Sequence, residues 1–151
     1  MPALARRNPM KPKNGLVVRY SFLWLREFER GEESGRKGRP VCVQILMSPA
    51  PGMPGPVALF PITSQAPTKA DDALLIPQLE TRRIGLRDPA WLIVNHLNLE
   101  SDFQSSPWLE DPKPLGTFSA AFTLTIRAAA RDAIRARRMS MVARDEPGMK
   151  R

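Results

Sequence analysis

Cysteine and histidine are almost missing from this chain, with one of each in 151 residues. A lone cysteine, Cys42, excludes an intrachain disulfide and a Cys-rich zinc site. It falls inside an apolar run, where the thiol reads as a small buried hydrophobe rather than a nucleophile. A lone histidine, His96, excludes paired-histidine acid–base catalysis and leaves no His-based zinc set. Aromatic residues make up only 7% of the chain, so an extended base-stacking platform is not expected. Trp24, Trp91 and Trp108 read more simply as core or interface residues. No run approaches the roughly 18 apolar residues of a membrane span. The basic start "MPALARRNPMKPK" has no apolar signal core, so a cytoplasmic protein without a membrane role is the expectation. Walker and Rossmann phosphate loops are absent, and "PITS" is not a nucleophile elbow. Asp71-Asp72 stands at a strand start and reads as a charged turn rather than a metal clamp. Neither metal nor cofactor is expected.

What the chain has in excess is proline and positive charge. Sixteen prolines against nine glycines argue against a helical bundle and for short strands joined by stiff connections. A formal charge of +8 favours a polyanionic partner, with plain solubility charge as the alternative. At 42% hydrophobic content the chain can build a core.

The pattern divides into a basic arm (1–13), one domain (14–139) and a tail (140–151) that adds a short strand or frays. Strands are expected at 15–24, 39–48, 57–65, within 71–77 and at 90–99. The third carries Pro61, which suggests an edge position or a bulge. Residues 25–38 read as a long charged loop and 49–56 as irregular. "QLETRRIGL" (78–86) reads as a short helix stopped by Gly85. From Thr117, a possible N-cap, a long helix is expected with Phe122, Ile126, Ala129, Ala133 and Ile134 inward. Arg127, Arg131, Arg135 and Arg138 fall on its other face, as a solvated surface or a nucleic-acid contact. The expected fold is β-rich α+β: a small open barrel of the SH3-like or OB kind, of about five to seven strands, with a short helix and a long C-terminal helix.

Cations and small polar groups gather at the strand ends: Arg36, Lys37 and Arg39 in "SGRKGRPVCVQIL", and Thr63, Ser64 and Gln65 in "PITSQ". Arginine carries a fixed charge on a planar fork suited to phosphate. Hydroxyls and amides orient phosphate oxygens. Such a set can stabilise a phosphate in transit without metal or histidine.

"GLVVRYSFLW", a charged loop, "GRKGRPVCVQIL" and "VALFPITSQ", in that order, resemble the PemK/MazF (Kid-like) toxins of type II toxin–antitoxin systems. "WLIVNHLNL" stands where that family has a strand, and "AAFTLTIRAAARDAIRARR" where it has its closing helix. The resemblance covers roughly residues 15–138. It implies an SH3-like barrel, usually homodimeric, restrained by an antitoxin protein. It also implies metal-independent cleavage of single-stranded RNA by ribose 2′-hydroxyl attack, leaving a 2′,3′-cyclic phosphate. The arginine before proline falls on Arg39, to stabilise the crowded phosphate, and the family threonine on Thr63, to orient it. Ser64 and Gln65 would line the groove, with Arg36 and Lys37 steering the backbone. Asn95 and His96, with Asn98, stand roughly where the family has an acidic or amide pair followed by arginine. Asn95 and His96 are therefore further RNA-binding candidates, although His96 also suits a hydrogen-bonded structural role. Two other readings remain open: a barrel that binds nucleic acid or protein without cleaving, and a toxin acting on a protein such as a topoisomerase.

Overall fold

Apolar, β-branched runs punctuated by glycine and proline become strands, and the computed structural model describes residues 10–32, 38–46 and 55–144. In chain order these form β1 (Leu16–Tyr20), α1 (Leu25–Glu29), β2 (Arg39–Ile45), β3 (Val57–Thr63), β4 (Ala73–Leu75) and α2 (Gln78–Ile84). Then come β5 (Trp91–Ile93), β6 (His96–Glu100), a 3-10 turn (Phe103–Ser105), β7 (Gly116–Thr117), α3 (Ala120–Arg135) and β8 (Ser140–Ala143). The fold is β-rich α+β. Its sheet follows the path β4-β5-β3-β2-β1-β7, antiparallel throughout, while β6 pairs with β3 and carries β8 parallel on its outer side.

The expected fifth strand is two strands. Residues Val94 and Asn95 turn between β5 and β6, because Asn95 is drawn into the neighbouring loop: it accepts from the Asp72 amide at 2.9 Å and donates to the Ala70 carbonyl at 3.0 Å. β3 therefore changes partner, pairing with β6 through Val57–Leu59 and with β5 through Ile62 and Thr63. Pro61 sits at that change. The Val43 carbonyl accepts from Gly15, on the β1 side, so the odd residues of β2 turn their backbone groups toward β1. Pro61, opposite Val41, then points its nitrogen away from β2 and into the gap between β6 and β5. A proline is tolerated in this central strand because no ladder bond is asked of it.

Alternation along β1, β2 and β3 predicts one buried face, yet both faces are buried. Val17, Cys42, Ala58 and Phe60 pack under α3 against Phe118, Phe122, Ile126 and Ala130. Val18, Tyr20, Val41, Val43 and Leu59 form a second cluster on the other face. Phe103, Trp108 and Leu109 of the irregular segment after β6 close that cluster, which is what that segment does for the fold. Met10, from the expected basic arm, is buried there too. Ile134, expected inward, is 55% exposed, and Ala130 takes the core position instead.

Two helix ends follow from local chemistry. Gly85 caps α2 in the left-handed conformation (φ 87°), as its sequence position predicts. The α3 cap is Ser119 rather than Thr117, whose residue is in β7. The Ser119 hydroxyl accepts from the Phe122 amide at 3.2 Å and donates to Glu80 at 2.5 Å, joining α3 to α2.

Gly15 holds φ at 89°, and a β-carbon there would press on the Thr123 side chain and lie 3.4 Å from the Phe118 carbonyl oxygen. Gly15→Ala is expected to lower stability by about 1–3 kcal/mol, read as a lower urea midpoint at unchanged slope. An unchanged midpoint would show that the turn relaxes freely.

Candidate active site

β2 and β3 run antiparallel with Val41 opposite Pro61, so extending that register by two residues sets Arg39 across from Thr63. Two residues 24 apart in sequence are thereby brought to the same end of one strand pair. Both line a cavity of about 790 Å³ at this end of the sheet, together with Ser64 and Gln65. Four of the six described and undescribed site candidates nearest the strand ends thus come together. The other two, Arg36 and Lys37, lie outside the described residues.

Thr63 is oriented locally. Its Oγ1 accepts the Gln65 backbone N–H at 3.1 Å, a hydroxyl–backbone turn at the strand end. A hydroxyl holding an acceptor role in this way keeps its proton available to donate into the cavity.

Arg39 is half-buried, on the same face of β2 as Val41 and Val43. Its guanidinium carbon lies 5.4 Å from the centre of the Trp24 ring. Burial lowers its pKa, the nearby Glu27 carboxylate raises it, and Arg26 lowers it further. Arginine's starting value leaves it a cation at neutral pH nonetheless. Glu27 is itself buried and accepts the Trp24 backbone N–H at 3.1 Å.

Among the described residues the electrostatics of the cavity are one-sided: Arg19, Arg26, Arg39 and Arg87 line it against one carboxylate, Asp71. Low-dielectric walls of one charge sign focus field and attract anions. The Asp71 carboxylate accepts from both the Thr68 amide (3.0 Å) and the Thr68 hydroxyl (3.2 Å), fixing the charged turn that the sequence suggests. Asp72 turns the other way and pairs with Arg138, whose Nε lies 2.8 Å from Oδ2. Arg138, expected on the long helix, lies beyond the end of α3 and is held by this pair, so the exposed arginines of the α3 stripe are Arg127, Arg131 and Arg135.

Asn95 and His96 do not line this cavity. The Asn95 amide is consumed by Ala70 and Asp72, as above. His96 meets the Trp24 ring edge-on, 5.1 Å between centroids, with Nε2 4.0 Å from Asp71. Burial lowers its pKa from 6.5, Asp71 raises it, Arg26 lowers it and Asp72 raises it. The net depression means the unfolded chain takes up the proton first, so His96 withdraws stability as pH falls below about 6.5. His96→Asn should flatten that part of a urea-midpoint profile between pH 7 and 5. A profile of unchanged slope would place the acid sensitivity elsewhere.

Trp24, Arg26, Thr68, Asp71 and Arg87 also line the cavity, beyond the residues that the sequence points to. One local signal for the first two exists: Glu27 stands three residues after Trp24, the spacing of a side chain that reaches back to cap a helix start. Asp71 and Arg87 carry no such signal, since loops bring them in from elsewhere.

Cys42 is fully buried and its thiol pKa is driven far upward, mainly by burial, which excludes a thiolate nucleophile at neutral pH. No helix among the described residues is long and apolar enough to cross a membrane.

No family model matches the chain, and no curated protein does. What fold and site define by themselves is a basic β-rich α+β protein with an arginine- and hydroxyl-lined cavity at the ends of its central strands.

Proposed function

We propose that this chain is the toxin of a type II toxin–antitoxin pair, an endoribonuclease that cleaves single-stranded RNA without a metal, as the PemK/MazF (Kid-like) family it resembles does. The observation that carries the reading is that Arg39 and Thr63 come to the same end of the β2–β3 pair, at a cavity that four arginines line among the described residues. The curled sheet closed by α3 is compatible with an SH3-like barrel. A homodimer in the cytoplasm, restrained by an antitoxin, completes the proposal.

The chemistry needs no group beyond these. The ribose 2′-oxygen attacks the adjacent phosphorus and the P–O5′ bond breaks, giving a 2′,3′-cyclic phosphate and a 5′-hydroxyl. Negative charge grows on the non-bridging oxygens as phosphorus crowds. Arg39 lies ready to meet it with a bidentate fork, and the Thr63 proton can hold a second oxygen. Asp71, in the same cavity, can take the 2′ proton, and the departing 5′-oxygen takes a proton from water, which Asp71 then replenishes.

A second reading, binding without cleavage, draws on one observation. The Asn98 amide is spent on Leu23 and Arg144, so the stretch where the family carries a further arginine sends no cation to the cavity. Incubating the purified chain with single-stranded RNA in chelator separates the two. Fragments ending in 2′,3′-cyclic phosphate are expected. Intact RNA held in a tight, salt-dependent complex would favour the second reading, and growth arrest with intact cellular RNA would point to a protein target.

A further inference from the structure

We infer that Arg26 and Arg39, both stacked on the Trp24 indole, form a paired-guanidinium station for the phosphodiester backbone of an unpaired strand, with Trp24 as the rack that positions them. This rests on the nucleic-acid reading above for the identity of the anion. It adds to it a binding residue, Arg26, a positioning residue, Trp24, and a purpose for α1.

The geometry is specific. The guanidinium carbon of Arg26 lies 5.0 Å from the Trp24 ring centre and that of Arg39 5.4 Å, both inside the range of cation–π attraction. Phe22 and His96 meet the same ring edge-on, at 5.0 and 5.1 Å between centroids. With two guanidiniums and two aromatic rings around it, the half-buried indole contributes by holding the two arginines. All three residues line the cavity that also contains Thr63.

The electrostatics point the same way. Among the described residues, neither arginine has an ion-pair partner within 4.0 Å. Two like charges kept on one ring repel, and a fold tolerates that where an anion is expected between or along them. Glu27, buried and bonded to the Trp24 amide, offsets part of the repulsion at Arg39 without lining the cavity. Arg26 is exposed and Arg39 half-buried, so the two differ in freedom. Arg26 can meet an incoming strand first, while Arg39 stays fixed on β2 for the chemistry.

The test uses the full chain and a single-stranded DNA oligonucleotide, which lacks the 2′-hydroxyl and so binds without being cleaved by this route. Arg26→Ala should reduce the slope of log affinity against log salt by about 0.7, the value of one lost phosphate contact on a single strand. Affinity at low salt should fall about tenfold. Trp24→Leu should weaken binding similarly while Trp24→Phe, which keeps a π face, restores most of it; a purely packing role would not separate those two. An unchanged slope in Arg26→Ala overturns the station, whatever the chain does to RNA. A slope that falls as expected in a chain that leaves RNA intact supports the station and sinks the nuclease reading instead.

Discussion

Arg39→Ala is expected to slow RNA cleavage by about 10²- to 10³-fold, the loss seen when one pre-aimed donor to a developing oxyanion is removed. The effect should fall on kcat more than on KM. Arg26, Arg19 and Arg87 still line the cavity and attract the strand, whereas Arg39 is held on β2 at the end of the strand pair that carries Thr63. Arg39→Lys keeps the charge but loses the planar fork, and should recover only part of the rate. Thr63→Val, which removes the hydroxyl at nearly constant shape, should cost about 10- to 10²-fold. Fold stability should change little in Arg39→Ala, because Arg39 is half-buried at a strand start and lies over the Trp24 ring rather than inside either core cluster. Single-turnover rates on a defined oligoribonucleotide, with urea midpoints alongside, check both statements. Equal rates for the wild type and Arg39→Ala would move the chemistry away from β2.

The part of this site written locally was legible in sequence. Gly38 and Pro40 bracket Arg39 at the start of an apolar run, and Thr63 closes another, so strand ends and their side chains follow from composition and alternation. α2 and its Gly85 stop were legible for the same reason. What was not legible depends on contacts between distant segments. α1 is five residues long, charged, and flanked by glycine; it exists because Glu27 is buried and Trp24 is pinned between Phe22, His96 and two arginines. No isolated helix of that length is stable in water. The break between β5 and β6 likewise depends on Asn95 reaching residues 70 and 72, and a polar side chain does not declare its partner in advance. Expecting Ile134 rather than Ala130 inward on α3 followed hydrophobicity where position on the helix face decided.

The largest stability effect is expected at Asn98, a residue fully buried in β6. Its Oδ1 accepts from the Leu23 amide at 2.8 Å and from the Arg144 guanidinium at 2.9 Å. Its Nδ2 donates to the Leu23 carbonyl at 2.7 Å. Arg144 also donates to the Ser21 carbonyl at 2.7 Å and lies over the Trp108 ring at 4.3 Å, so β6, the chain leading into α1 and the residue after β8 meet at this one amide. Asn98→Leu fills the volume but leaves a buried N–H, a buried C=O and a buried guanidinium without that partner. At about 1–3 kcal/mol for each stranded neutral group, and more for the charge, the loss should reach roughly 4 kcal/mol. For a chain of this size that lowers the melting temperature by on the order of 10 °C. Asn98→Asp keeps both acceptor contacts and sets a carboxylate beside Arg144, at the cost of turning the Leu23 carbonyl contact into an oxygen–oxygen repulsion, and with its charge paired it should be the milder change. Because Leu23 immediately precedes Trp24, the damage should also reach the site: oligonucleotide binding by Asn98→Asp should weaken more than its modest stability loss implies. A near-wild-type melting temperature for Asn98→Leu would mean that Arg144, not Asn98, fastens the approach to α1, and Arg144→Met would then be the variant that unfolds.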